Sequence, residues 1–267
     1  MDAITIRASS LSDLLDCPAR WEAKHLRGMR MPSGPKAILG KAIHASTARF
    51  DLSTMSGAGL TADEAAGAAV DAIKHPDEDV DWKADEITPA TAEKIALGLH
   101  RAYCAEIAPG QEYLGVEVTC EALTITDLGL TLTGTTDRVR KATDGSVGIA
   151  DIKTGATAVS ADGKVKTTGH GVQLAVYELL AGNAIGRAMD APAQIIGMQT
   201  GKTAKGQRVA VAECPSGMAS LLGSEDFPGT LEHASRLIHS GNFFGNTRSQ
   251  LCNPKYCCCY ATCRYRS

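Results

Sequence analysis

The spacing of apolar residues along the chain changes once, near Tyr113. Before that point apolar positions recur at helical intervals. Leu11, Leu14 and Leu15 mark the buried face of a short helix that Ser9 or Ser10 can cap; Pro18 opens a second helix and Gly28 ends it, with Trp21 and Leu26 as core anchors. Helices are predicted over 36–52, 61–74 and 88–107, the middle one started by a capping box of Thr61 and Glu64. After Tyr113 the period falls to two. Leu114, Val116 and Val118 alternate and Leu123 and Ile125 continue a first strand; 128–139 and 147–152 form a hairpin around the turn Thr143-Asp144-Gly145-Ser146. A polar loop over 154–169 leads to a helix over 170–185, strands over 193–199 and 208–213, and a mostly helical stretch over 216–240 broken near 226–228. The predicted class is mixed α/β: a helical N-terminal region (1–112), a core of helix, three strands, helix and strand (113–240) and a Cys-rich tail (241–267), packed as one unit.

Length and charge narrow the picture. The chain has 267 residues and a formal net charge of −3, so it has no global basic signature for nucleic acid. Local basic stretches do occur: Arg20, Lys24, Arg27, Arg30, Lys36 and Lys41 face only Glu22, and Arg248, Lys255, Arg264 and Arg266 meet no acid. Such stretches suit a polyanion, or simply solvated helix faces. No apolar run is long enough to span a bilayer and the start lacks a signal-peptide core, which predicts a cytoplasmic protein with reduced thiols. Five of the nine cysteines fall between Cys252 and Cys263, a density that points to metal or iron–sulfur binding in a reducing compartment.

The hairpin carries the candidate chemistry. Asp151 and Lys153 are two apart on one strand and leave the same face; Asp137, near the end of the partner strand, can point at the same spot. Two carboxylates and an ammonium converging there are costly to bury without a cation or an anionic ligand. A divalent metal between the carboxylates would resolve this, holding a water or a phosphate oxygen beside the lysine. A solvated hairpin is the plainer reading. His44, four residues after Gly40 on a helix, is a metal ligand if that helix crosses the open end of the sheet, and otherwise an ordinary helical histidine. Gln173 and Tyr177, four apart on one helix face, can hydrogen-bond a phosphate or orient Lys153. Cys17 opens a Cys-Pro pair; with Cys252, Cys257 and Cys263 it offers four thiolates that would tie the two ends of the chain together, although Cys258 or Cys259 could replace a neighbour. Spacing does not separate a 4Fe–4S cluster from zinc. Cys104, Cys120 and Cys214 read as buried apolar thiols.

Taken in order, Cys17-Pro18 with Arg20-Trp21, Gly40-x3-His44, Gly134-x2-Asp137-Arg138-Val139, Asp151-Ile152-Lys153-Thr154-Gly155, Gln173-x3-Tyr177 and the cysteine tail resemble the PD-(D/E)XK nuclease superfamily, in particular its RecB-like branch with a cysteine-bound iron–sulfur cluster. The resemblance covers almost the whole chain. It implies a restriction-endonuclease-like αβββαβ core, a mixed sheet flanked by helices. It implies metal ligation (Mg²⁺ or Mn²⁺) by His44, Asp137, Asp151 and the Ile152 carbonyl, and Lys153 as the catalytic lysine. Gln173 and Tyr177 would steady Lys153 and the DNA backbone, Glu117 (or Glu121) would be the first acidic residue, and Cys17, Cys252, Cys257 and Cys263 the ligands of a 4Fe–4S cluster. The run Cys257-Cys258-Cys259 departs from the usual pattern, where proline often follows the middle cysteine. The nearest members in kind are stand-alone bacterial, phage or prophage exonucleases of recombination and repair; CRISPR adaptation nucleases share the four-cysteine plan. No Walker A motif is present, so the expected activity is DNA cleavage from ends, alone or with a recombination or helicase partner. A non-catalytic DNA-binding or scaffold module of the same fold, and a zinc-stabilised adaptor, are the alternatives.

Overall fold

A computed structural model of the chain describes residues 3–266. Its order is β1 (Ile4–Arg7), α1 (Leu11–Asp16), α2 (Pro18–His25), α3 (Pro35–Ser56), α4 (Ala62–Lys74), α5 (Pro89–Ala102), β2 (Glu112–Ile125), β3 (Leu130–Lys141), β4 (Val147–Gly155), α6 (Gly171–Ile185), β5 (Gln194–Gln199), β6 (Arg208–Glu213), α7 (Met218–Leu222) and α8 (Thr230–Ser240). A π-helical turn, Tyr103–Ile107, prolongs α5. This is the mixed α/β class that the pattern predicts and the mixed sheet flanked by helices that the resemblance implies, with β1 as an addition. Four residues with one fully buried side chain, Ile6, are too few for a periodic signal.

β3 is the axis of the sheet. β2 runs antiparallel along one side of it. The other side is shared: β1 pairs in parallel with Leu130 to Thr133, and β4 pairs antiparallel with Arg138 to Lys141. Residues 134–137 have no ladder partner on that side. β4 leaves β3 after Ala150 and continues in parallel with β5, which pairs antiparallel with β6. The sheet therefore splits between β3 and β4, and the crevice opens where Asp137 and Asp151 stand.

Alternation along β4 sends side chains to two cores. Val147 and Ile149 pack with α1, α6 and α8, around Leu14, Trp21, Leu174, Leu180 and Ile238. Ala150 and Ile152 pack with α3, α4 and α5, around Ile43, Ile73, Ile95 and Leu99. β4 is thus buried on both faces, which explains its near-continuous apolar run.

Details of the helices confirm or correct the pattern. Thr61 and Glu64 form the reciprocal capping box. Ser10 stands at the start of α1, but its hydroxyl donates to the Arg7 carbonyl (2.9 Å) and accepts from Trp21 Nε1 (3.4 Å), so it does not cap. Trp21 is buried, whereas Leu15 and Leu26 are exposed. α1 has only six residues and can bury only a narrow stripe, and Leu26 falls one residue beyond α2. Among the described residues no helix is long and apolar enough to cross a membrane.

Candidate active site

Two glycines set the approach of the helices to the crevice. At Gly40 a Cβ would lie 2.9 Å from Thr154 Oγ1, so only glycine lets α3 rest this closely on β4. One turn later His44 reaches the rim. At Gly134 a Cβ would meet Tyr177 Cε1 at 3.0 Å and Leu180 Cδ1 at 3.2 Å, so its absence lets α6 close over β3.

The structure brings His44, Glu117 and Asp137 together, with one ligand atom of each within 4.8 Å of the others. His44 Nδ1 lies 3.6 Å from Asp137 Oδ1. The other Asp137 oxygen accepts the Ile152 amide at 2.7 Å, replacing the ladder bond lost where the strands part. This amide anchors Asp137; the Ile152 carbonyl was the part expected at the metal. Glu117 faces Asp137 across β2 and β3, between the pairs Val116–Arg138 and Val118–Thr136. Its φ of 50° makes it the one non-glycine among the described residues with a left-handed backbone. Holding it there costs on the order of 1–3 kcal/mol. Glu121 lies exposed in the bulge between Cys120 and Leu123, outside this group.

Asp151 is adjacent but distinct. It is 3% exposed, and Lys153 Nζ lies 2.7 Å from its Oδ2. That ammonium sits off the hydrogen-bonding direction, so Oδ2 is a buried carboxylate oxygen with no hydrogen-bond partner. Lys153 Nζ instead donates to Gln173 Oε1 (3.2 Å), and Gln173 Nε2 donates to the Tyr177 hydroxyl (3.4 Å). Burial, then the charge of Asp137, pushes the Asp151 carboxyl up to about 6, with Lys153 offsetting part of this. Burial opposes a charge on His44, but Asp137, with Glu117 and Asp151 behind it, outweighs burial and raises its pKa. Three crowded acids, one of them buried with only an ammonium beside it, and an imidazole form a donor set suited to a divalent cation.

A second layer was not legible as chemistry in the sequence. Arg138 is fully buried and donates to Asp51 Oδ2 (2.7 Å), Glu117 Oε1 (3.3 Å), the Asp137 carbonyl (2.7 Å) and Thr47 Oγ1 (3.2 Å). Asp51, 2% exposed, also accepts the Tyr103 hydroxyl at 2.7 Å. His44, Thr47 and Asp51 are spaced i, i+3, i+7 on α3, and that polar stripe on a buried face was the available signal.

The cysteines assemble elsewhere. Cys17, Cys252, Cys257, Cys259 and Cys263 line one cavity between α2 and the tail; Cys258 does not. Cys17 Sγ accepts the Asn246 amide at 3.4 Å. The tail is tied to the N-terminal helices by Asn246 Nδ2 donating to the Asp16 carbonyl (2.9 Å) and Ser249 Oγ donating to Asp16 Oδ2 (2.6 Å). Of the other three, Cys120 and Cys214 are buried and Cys104 half-buried.

No curated protein matches this chain. Among solved structures, that of SSO0001 overlaps 100% of this chain and 89% of its own, at 14% identity and a TM-score of 0.43, a likeness too loose to carry an argument. The family comparison is decisive: residues 5–266 match the PD-(D/E)XK nuclease superfamily, to which this chain therefore belongs.

Proposed function

We propose that the chain is a metal-dependent DNA exonuclease of the RecB-like branch, with a structural 4Fe–4S cluster at the cysteine cavity. The observation that carries the catalytic part is the convergence of His44, Glu117 and Asp137 beside the buried Asp151 carboxylate and its ion pair with Lys153, in the crevice where β3 and β4 part. These residues fit Mg²⁺ or Mn²⁺, with Mn²⁺ favoured by the imidazole; the bound ion would supply Lewis acidity and a water acidified enough to attack phosphorus. The chain's own groups do the rest. Lys153, held by Gln173, offers its ammonium to the charge that develops on the phosphate oxygens. Tyr177 fixes the Gln173 amide and so the direction of Lys153. Lys36 and Lys41 line the cavity that also holds His44 and Glu117, and would have to exchange their partners Asp85 and Glu78 for phosphates to hold a strand there.

The cluster reading rests on the cavity itself. Tetrahedral zinc with Zn–S near 2.3 Å would draw its sulfurs to about 3.8 Å from one another. Among the described residues no three cysteine sulfurs lie within 4.8 Å. Cys257 and Cys259 stand 3.6 Å apart, but no third sulfur joins them as one zinc ion would require; that wider spread of the remaining thiols suits a multi-iron cluster, and the backbone donor on Cys17 Sγ is the kind of contact such a cluster uses.

The test is cleavage of end-labelled single- and double-stranded DNA by anaerobically purified protein, with Mg²⁺, Mn²⁺ or EDTA, beside Lys153→Ala. Expected are metal-dependent laddering from an end and its loss in the variant. Iron-loaded protein that leaves every substrate intact under all these conditions would overturn the reading in favour of a non-catalytic module.

A further inference from the structure

Glu117 poses a question that its role as a ligand leaves open. It is an exposed residue in a backbone conformation that side chains avoid, yet it must present its carboxylate to His44 and Asp137. Its one polar contact with a buried group is Arg138, whose Nη1 donates to Glu117 Oε1 at 3.3 Å. Arg138 cannot move to follow it. Its Nε is fixed on Asp51, Nη1 also on the Asp137 carbonyl and Nη2 on Thr47, and its guanidinium lies 5.7 Å from the Tyr113 ring. Asp51 is itself held by Tyr103, whose oxygen accepts in turn from the Tyr113 hydroxyl at 3.0 Å. A chain of fixed groups therefore runs from α5 through α3 and β3 to the metal-facing carboxylate.

We infer that the Asp51–Arg138 pair is a positioning device that holds Glu117 in its ligating place, and so sets the divalent-metal affinity of the site without touching metal or substrate. The inference rests on the reading of His44, Glu117 and Asp137 as a metal site. Outer-shell partners of ligands commonly set metal affinity over a range of about 10- to 100-fold. Arg138 is built for this role because its planar fork serves four acceptors at once (Asp51, Glu117, the Asp137 carbonyl and Thr47), one more than the three donors of an ammonium allow. Its direct bond to the Asp137 carbonyl ties the Glu117 carboxylate to the Asp137 backbone through one guanidinium.

The experiment measures Mn²⁺ binding by calorimetry in the full-length, cluster-loaded protein carrying Lys153→Ala, so that no turnover intervenes. Asp51→Asn keeps the shape but weakens the hold on Arg138, and is expected to raise the Mn²⁺ Kd about tenfold. In protein with Lys153 intact, the same change should raise the Mn²⁺ concentration for half-maximal cleavage, while the rate at saturating Mn²⁺ stays within about twofold of the parent. In a Glu117→Gln background, Asp51→Asn should have no further effect on Kd, because its influence passes through Glu117. Tyr103→Phe, which removes one hydroxyl, provides the milder variant if Asp51→Asn does not fold; a two- to threefold rise in Kd is expected. Folded variants with unchanged Mn²⁺ affinity, or an Asp51→Asn effect that persists undiminished in Glu117→Gln, would overturn the inference. Absence of Mn²⁺ binding in the parent protein would instead sink the metal-site reading beneath it.

Discussion

The sulfurs of Cys257 and Cys259 stand 3.6 Å apart, and both face the cavity that Cys17, Cys252 and Cys263 complete. The cavity thus holds five thiols, one more than the proposed four-ligand cluster would use. Cys259 is 4% exposed, and burial together with the hydrogen bond to Cys257 pushes its thiol up to about 12.

This surplus has a measurable consequence. Cys257→Ala should retain more than half of the iron and acid-labile sulfide of the parent protein, because Cys259 is near enough to take the vacated position. Cys257→Ala combined with Cys259→Ala should lose both and lower Tm by several degrees, since the joint between the N-terminal helices and the tail is undone. Iron content and visible absorbance of anaerobic preparations decide it. Complete loss in the single variant would mean that Cys259 does not reach the cluster.

Lys153 separates binding from chemistry. Its ammonium reaches Gln173 and Asp151, and a protonated amine has no lone pair to offer a metal. Lys153→Ala should therefore lower cleavage at saturating Mn²⁺ by at least about a hundredfold while leaving Mn²⁺ affinity within a few-fold of the parent. A variant that loses metal and activity in parallel would assign Lys153 to the ligand scaffold.

Much of this site could be read from the chain because its parts sit at fixed sequence intervals on regular elements. Asp151 and Lys153 share a strand face, and Gln173 and Tyr177 a helix face. Gly40 and His44 are one turn apart. What could not be read depends on meetings across the fold. Arg138 and Asp51 are 87 positions apart, and neither has a periodicity that names the other. Asp151 would stand opposite Asp137 in a continued hairpin, but the β3–β4 ladder ends at the pair Arg138–Ala150, and that parting of two strands has no periodic signal. Leu15 and Leu26 fit the apolar pattern, but short helices do not have enough turns to bury every residue the pattern selects.

The contact at Gly40 predicts a variant that can be undone. In Gly40→Ala the added methyl group meets Thr154 Oγ1 at 2.9 Å, so α3 must lift or Thr154 must turn. A cost of about 1–3 kcal/mol is expected, as for other overpacked positions, together with weaker Mn²⁺ binding because His44 is carried on the same helix. Adding Thr154→Ala removes the obstructing oxygen and should restore both. Denaturant unfolding and calorimetry on the pair provide the check; a double variant no better than the single would place the damage elsewhere.

The last prediction concerns Asp151 as a source of instability that metal relieves. Its carboxyl is raised from an ordinary 3.8 to about 6 by burial and by Asp137. The metal-free folded state therefore binds this proton more tightly than the unfolded chain does. Stability from this group is present below pH 3.8 and is lost as pH rises toward 6, and above that the ionised form is a standing cost. In metal-free protein at pH 7.5, Asp151→Asn should consequently raise Tm. The same substitution removes a carboxylate oxygen whose one close contact is the Lys153 ammonium and that a cation can use. Mn²⁺ at a hundred times its Kd should stabilise the parent protein by about 2.7 kcal/mol, and at that same Mn²⁺ concentration Asp151→Asn should gain much less. Thermal unfolding with EDTA and with Mn²⁺ gives all four values. The two curves should cross, with the variant more stable without metal and the parent more stable with it. A variant that is less stable in EDTA would mean that the contact with Lys153 outweighs the burial of the charge, and that the carboxylate stabilises the fold as well as serving the chemistry.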